Sequence, residues 1–138
     1  MTKQAHQRFV WTSDMETGNT LVDREHKASL DLMNLLTLVD EQENPGMALM
    51  ETVAALERFT SKHFKHEEDL LDAVDSPDLA LQGTQHNMLR RELSVMVNAI
   101  DAENPGDTIH GIVSWVERRL LRHLNTFDMG TFSKHPFR

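Results

Sequence analysis

Glu43-Asn44-Pro45-Gly46 returns sixty residues later as Glu103-Asn104-Pro105-Gly106, and these two stretches decide the fold. Proline has no amide hydrogen and pushes the residue before it out of the helical region, so each stretch ends one helix and opens another. At the same offset His26 pairs with His86 and His63 with His123. Smaller echoes join them: Leu21 with Leu81, Val53 with Val113, and Glu57-Arg58 with Glu117-Arg118. Two similar halves, each with two histidines at matched places, imply a two-fold framework about a shared centre. In a helical protein that centre is most naturally a metal site.

Outward from the two stretches, apolar residues recur at helical spacing almost throughout, and strand signals are lacking in a chain without Tyr. The pattern predicts a first helix from about Thr20 to Glu43, with Val22, His26, Met33 and Leu36 or Thr37 on one face. A second runs from about Gly46 to Val74, turning Met50, Val53, Leu56, Phe59, His63, Glu67 and Leu70 inward. Asp75-Ser76-Pro77 reads as a capping turn with Pro77 near the first helical position. The third helix then runs from about Pro77 to Ala102 through Leu79, Gln82, His86, Leu89, Leu93, Met96 and Ile100. The fourth, from about Gly106 to Met129, uses Ile109, Ile112, Val116, Leu120, His123 and Phe127, with Gly130 as its stop. Short connections make sequential helices antiparallel neighbours. The expected fold is all-α: an up-down-up-down four-helix bundle with an N-terminal arm, one domain over residues 1–138.

Depth along the bundle follows by counting. His26 and His86 each lie 18 residues before an Asn-Pro-Gly, and His63 and His123 each lie 17 after one. At about 1.5 Å of rise per residue, all four rings stand at nearly the same distance from the hairpin ends. If the hairpins pack in register, the rings form one layer. Glu67 follows His63 by four residues, which keeps both on one helix face. Asp128 follows His123 by five, which rotates it about 140° on an ideal helix. Asp128 reaches the same centre only if the helix widens locally, so a π-type irregularity is expected there.

Bulk composition narrows the chemistry. The chain has 138 residues, enough for a real core. It has no Cys, which removes disulfides, thiolate ligands and iron–sulfur clusters and leaves imidazole and carboxylate as the metal donors. Such donors suit iron, zinc or manganese. A net charge of −8 counts against nucleic-acid binding. No segment approaches the roughly 20 apolar residues of a membrane span, and the first residues carry no secretory pattern, so a soluble cytoplasmic protein is expected. The remaining histidines, His6, His66, His110 and His135, read as surface residues. Arg118, Arg119 and Arg122 read as a solvent face. Met33, Met47, Met50, Met88 and Met96 read as packing, and Trp11 and Trp115 as anchors, Trp11 pinning the arm.

With these residues in hand, the chain resembles the hemerythrin family, in particular its single-domain bacterial members, from Trp11 to Asp128. Phe9-Val10-Trp11, Gly18 and Val22-Asp23-Arg24-Glu25-His26 resemble the family's arm and first-helix motif. His63-Phe64-Lys65-His66-Glu67-Glu68 is similar to its His-Phe-x-x-Glu-Glu motif, and His123-Leu124 with Asp128 to its last-helix motif. The resemblance implies an oxo- or hydroxo-bridged di-iron centre that binds dioxygen. Glu67 and Asp128 would bridge the irons, with His26 and His63 on one and His86 and His123 on the other.

Three residues depart from the pattern. Gln82 stands where the family places a further histidine four before His86, which leaves four histidines where the family usually has five. Gln82 could bind weakly through its amide oxygen, hydrogen-bond a metal-bound water, or leave a position open. Ser29 replaces an aliphatic residue, and Arg119 stands where a Trp often precedes the last histidine. Phe64, Leu120 and Leu124 would form the apolar lid over the ligand, with Ser29 and Gln82 making it less dry. The leading reading is dioxygen carriage, storage or sensing, a binding function without turnover. The alternative is a di-iron redox enzyme (a peroxidase, an oxidase or a nitric oxide scavenger) using the position opened at Gln82. No protein partner can be read from the residues.

Overall fold

The computed structural model describes residues 7–136, so His6 lies outside the described residues. A 3₁₀ turn at Ser13–Met15 leads into helix α1, Thr20–Thr37. A second 3₁₀ turn, Val39–Glu41, precedes α2, Pro45–Ala73, and α3 follows at Leu79–Asn98. The fourth rod, α4, spans residues 106–132. It starts as α-helix over Gly106–Trp115, widens to π over Val116–Leu120, and returns to α over Leu121–His123. It widens again over Leu124–Asp128 and closes as α over Met129–Phe132. The molecule is an all-α four-helix bundle in which α1 packs on α2 and α4, and α2 on α3. No helix of the described residues is long and apolar enough to cross a membrane.

The helix starts follow local chemistry. Asn19 and Asn44 each accept a hydrogen bond from the amide three residues on, Val22 and Met47, both at 3.2 Å. Pro45 fills the first helical position, where its missing N–H costs nothing. The ends depart from the periodicity. Helix α1 stops at Thr37 rather than near Glu43, because the 3₁₀ turn swings Val39 into the core. Helix α3 begins at Leu79 rather than Pro77, since Ser76 holds the turn by accepting from the amide of Asp78. It ends at Asn98, short of Ala102. Gly130 does not stop α4. The rod runs on to Phe132, which is fully buried, and Thr131 donates to Asp78 across the gap to the α2–α3 turn.

The core has two parts. The larger lies toward the Asn-Pro-Gly ends and includes Met33, Leu36, Leu49, Val53, Leu56, Leu89, Leu93, Ile112 and Val116. A smaller one, Val22, Leu71 and Phe132, closes the other end. Met47, Met50 and Met88 are exposed, not core, so their spacing marked the helix but not its buried face. Phe59 and Leu70 are half-buried and Phe127 is 36% exposed. The arm is anchored chiefly by buried Phe9, whose backbone exchanges two hydrogen bonds with the Asn34 side chain at 2.9 and 2.8 Å. Trp11 is half-buried, with Lys27 over its ring.

The two repeated loops touch. A Cβ on Gly46 would stand 1.9 Å from the carbonyl oxygen of Ala102, a backbone atom that cannot step aside. Gly46→Ala should therefore lower the melting temperature, at a cost of about 1–3 kcal/mol. Gly106→Ala, where a Cβ meets nothing within 4 Å, should be neutral or slightly stabilising. Thermal unfolding of the two variants side by side checks both.

Candidate metal centre

Between the two apolar clusters lies one polar layer. His26 comes from α1, His63 and Glu67 from α2, Gln82 and His86 from α3, and His123 and Asp128 from α4. Each of these side chains is 3% exposed or less. A layer this polar, this buried and supplied by every helix needs an internal balance of charge and hydrogen bonds.

The carboxylates divide their oxygens between the two halves. Glu67 Oε2 lies 3.2 Å from His26 Nε2 and 2.9 Å from His63 Nε2, while Oε1 lies 3.1 Å from His86 Nε2. Asp128 Oδ2 lies 3.0 Å from His26 Nε2, and Oδ1 lies 3.1 Å from His123 Nε2. Two donor groups result, each with two imidazoles and both carboxylates, and within each the donor atoms lie within 4.8 Å of one another. The backbone of α4 makes this possible: the π segment Leu124–Asp128 absorbs the fifth residue of the His123-to-Asp128 spacing. An earlier π segment, Val116–Leu120, was not foreseen, and its residues carry no pattern that would mark it.

Several of these atoms approach one another without bonding. His63 Nε2, His86 Nε2, His123 Nε2 and Glu67 Oε1 are buried with no hydrogen-bond partner, although a ring nitrogen and a carboxylate oxygen stand within about 3 Å of each other in every case. These atoms are close enough for a bond yet make none with acceptable geometry, and they sit within the two donor groups. A shared cation satisfies that arrangement. The donor chemistry and the orphaned atoms therefore fit two bound cations.

Two further carboxylates hold the rings from behind. His63 Nδ1 donates to Glu25 at 2.8 Å, and His86 Nδ1 donates to Glu68 at 2.7 Å. Such outer carboxylates fix the tautomer that leaves Nε2 free for a metal. Glu25 also takes His66 Nδ1 at 2.6 Å, so His66 is a surface residue with a bound ring. His135 is half-buried and its ring meets Ser76, while His110 is exposed. Sequence reasoning missed Glu25 and Glu68. The only signal was their place beside His26 and Glu67, and each acts on a histidine of another helix. Arg119, expected on a solvent face, is partly exposed and paired there: Glu92 grips it at 2.8 Å through both oxygens and accepts from Trp115 as well.

The pocket residues sit as follows. Phe64 is fully buried and stacks on His86, ring centroids 3.9 Å apart and parallel within 1°. Leu120 and Leu124 are buried in the main cluster beside the layer. Ser29 is buried, but its hydroxyl donates to the Glu25 carbonyl, so its polarity is satisfied within its own helix. Gln82 donates its amide N–H to Asp128 Oδ1 at 3.1 Å and leaves its own Oε1 buried without a partner.

Without metal the layer holds protons instead. Burial opposes charge on His63, but the Glu67 carboxylate beside Nε2 and the hydrogen bond to Glu25 outweigh it and push the ring up to about 10. His26 is raised likewise: burial opposes, and Asp128 and Glu67 prevail. Glu67 falls well below its usual range despite burial, held by the charge on His63 and by the His26, His63 and His86 rings that stand against its two oxygens.

The sign of the resulting pH dependence follows. His63 is raised above its ordinary 6.5, so in the metal-free protein its contribution is complete below that value and is lost as pH rises to about 10. Glu67 contributes above its ordinary 4.5 and loses that contribution as pH falls through its lower folded value. The urea midpoint of the metal-free protein should therefore fall between pH 6.5 and 10. Metal loading at pH 7 should release at least one proton, read by calorimetry in buffers of different ionisation enthalpy. A flat midpoint together with proton-neutral loading would contradict this account of the layer.

Fold and layer together define a helical bundle built around a buried histidine–carboxylate cluster able to hold metal ions. Residues 17–127 match the family model described as Hemerythrin HHE cation binding domain, and the chain belongs to the hemerythrin family. It is 30% identical over 123 residues to a bacteriohemerythrin of Pseudomonas paraeruginosa, covering 88% of this chain and 78% of the relative. It is 26% identical over 120 residues to a hemerythrin of Phascolopsis gouldii, covering 87% of each. A bacteriohemerythrin of Clostridium acetobutylicum shares 23% identity over 82% of this chain and 93% of its own. No solved structure matches significantly.

Proposed function

We propose that this chain is an oxygen-binding non-haem di-iron protein that carries, stores or senses dioxygen. The observation that carries the reading is the division of Glu67 and Asp128 between two histidine pairs, which offers two adjacent cation positions bridged by both carboxylates. Membership of a family described as cation-binding, and relatives named hemerythrin and bacteriohemerythrin, support it. A pair of irons there would supply the electrons that dioxygen takes up on binding. His26 and His63 would hold one iron, and His86 and His123 the other. Phe64, Leu120 and Leu124 keep water from the layer, because a wall of buried carbon offers it no partner. Metal content and the visible spectrum, before and after anaerobic reduction and re-exposure to air, test the reading. Two irons per chain and a reversible oxygen-dependent absorption support it; zinc alone or one iron overturns it.

A second reading rests on Gln82. Its unpartnered Oε1, buried within the layer, offers an acceptor to a proton-bearing ligand and favours redox turnover over reversible binding. Peroxide consumption with a reductant, lost on Gln82→His, would support this enzyme reading over the carrier.

A further inference from the structure

The sixty-residue offset relates the surroundings of the histidines as well as the histidines themselves. In the first half Glu25 holds His63 Nδ1 and His66 Nδ1 together. Sixty residues on, His63 becomes His123, His66 becomes Thr126 and Glu25 becomes Gln85. These three counterparts also meet: they line a single cavity of about 70 Å³. The element missing from the second half is the carboxylate.

His123 feels that loss directly. Its side chain is 3% exposed and its Nδ1 has no hydrogen-bond partner. With Nε2 turned to the metal layer, Nδ1 is the nitrogen that keeps the ring proton, and a buried N–H without an acceptor is costly. The cavity wall asks for negative charge. Arg119 and Arg122 line it and no carboxylate does. Glu92 already pairs with Arg119, whereas exposed Arg122 forms no ion pair among the described residues. Thr126 donates its hydroxyl to the Arg122 carbonyl, and Gln85 keeps its amide free to donate. Phe127, part-exposed and stacked on the His123 ring, completes the outer wall. The volume is that of about two waters at roughly 30 Å³ each.

We propose that this cavity binds a small inorganic monoanion, of halide to nitrate size, which accepts the His123 Nδ1 proton. The anion occupies the place that the Glu25 carboxylate holds against His63. It thereby makes the electronic environment of the second metal position depend on an exogenous ion. The inference rests on His123 acting as a metal ligand through Nε2.

The test uses bromide on the zinc-loaded protein. Saturable broadening of the bromide NMR line, with a matching shift of the His123 ring nitrogen signals, is expected. Arg122→Ala should weaken binding by about tenfold or more, since it removes a charged hydrogen-bond donor. Gln85→Glu should abolish bromide binding by supplying the carboxylate from the chain, while leaving the fold and the zinc content intact. Arg118→Ala, exposed and outside the cavity, should change nothing. Broadening that does not saturate, or that survives in Gln85→Glu, overturns the proposal. Zinc content is measured on the same samples. Zinc bound without saturable bromide sinks the anion site alone; a wild-type chain that binds no zinc or iron sinks the metal reading and this inference with it.

Discussion

Glu67→Ala is expected to empty both metal positions at once. Glu67 is fully buried in the middle of α2, and it offers one oxygen to His26 and His63 and the other to His86. Both donor groups contain it. Removing it leaves each position with two imidazoles and a single carboxylate, and no second bridge to neutralise two dications in a dry layer. Metal content after reconstitution should fall from two per chain to none. His63→Ala should behave differently, stripping one position and leaving Glu67, His86, His123 and Asp128 around the other. The metal-free Glu67→Ala protein should also be weaker by about 3–5 kcal/mol, because three imidazoles lose the buried carboxylate that balances their charge. Glu67→Gln keeps the volume and separates the two effects: it should fold better than Glu67→Ala and still fail to hold metal. Full metal content in Glu67→Ala, with helicity preserved, would show that the layer is not the cation site.

The parts of this arrangement legible in the sequence were those set by position along a helix. The matched distances of His26, His63, His86 and His123 from their Asn-Pro-Gly stretches pointed to a common depth. The four rings share one layer even though α1 gives way to a 3₁₀ turn after Thr37 and α4 widens over Val116–Leu120. The five-residue step to Asp128 required a widened helix, and α4 widens over Leu124–Asp128. Properties that depend on rotation between helices were not legible. Met47, Met50 and Met88 keep helical spacing yet face solvent, since spacing defines a stripe without saying what covers it. Glu25 and Glu68 looked like ordinary charged residues, because their partners lie on other helices. Helix ends were misplaced where the chain used turns instead of breakers: the 3₁₀ turn at Val39–Glu41 shortened α1, and burial of Phe132 carried α4 past Gly130.

Gln82→His is expected to have the opposite effect to Glu67→Ala and to be comparably informative. Gln82 lies one helical turn before His86 on α3, so both project to the same face, and its side chain is 1% exposed within the layer. As found, it serves Asp128 through an N–H at 3.1 Å and presents a neutral oxygen that bonds to nothing. An amide oxygen is a weak donor to a divalent cation beside imidazole. An imidazole here, of similar volume, would give the His86–His123 position a third nitrogen and remove the asymmetry between a hydrogen-bonded Asp128 and an unbonded Glu67 Oε1. Changes in the outer shell alone shift metal affinity by about 10–100-fold, so a new direct donor should tighten the second position by at least that much. Chelator competition on the reconstituted protein reads this without reference to oxygen. The same variant should slow decay of the oxygenated form, because a filled position admits no second ligand. Unchanged affinity would mean that Gln82 faces Asp128 only and never the metal. In that case Gln82→Leu, which deletes the N–H to Asp128 while keeping the site closed, should reproduce whatever change Gln82→His made in the lifetime of the oxygenated form. Tighter metal with a shorter lifetime would instead place the redox control of this centre on the Asp128 hydrogen bond rather than on the open position.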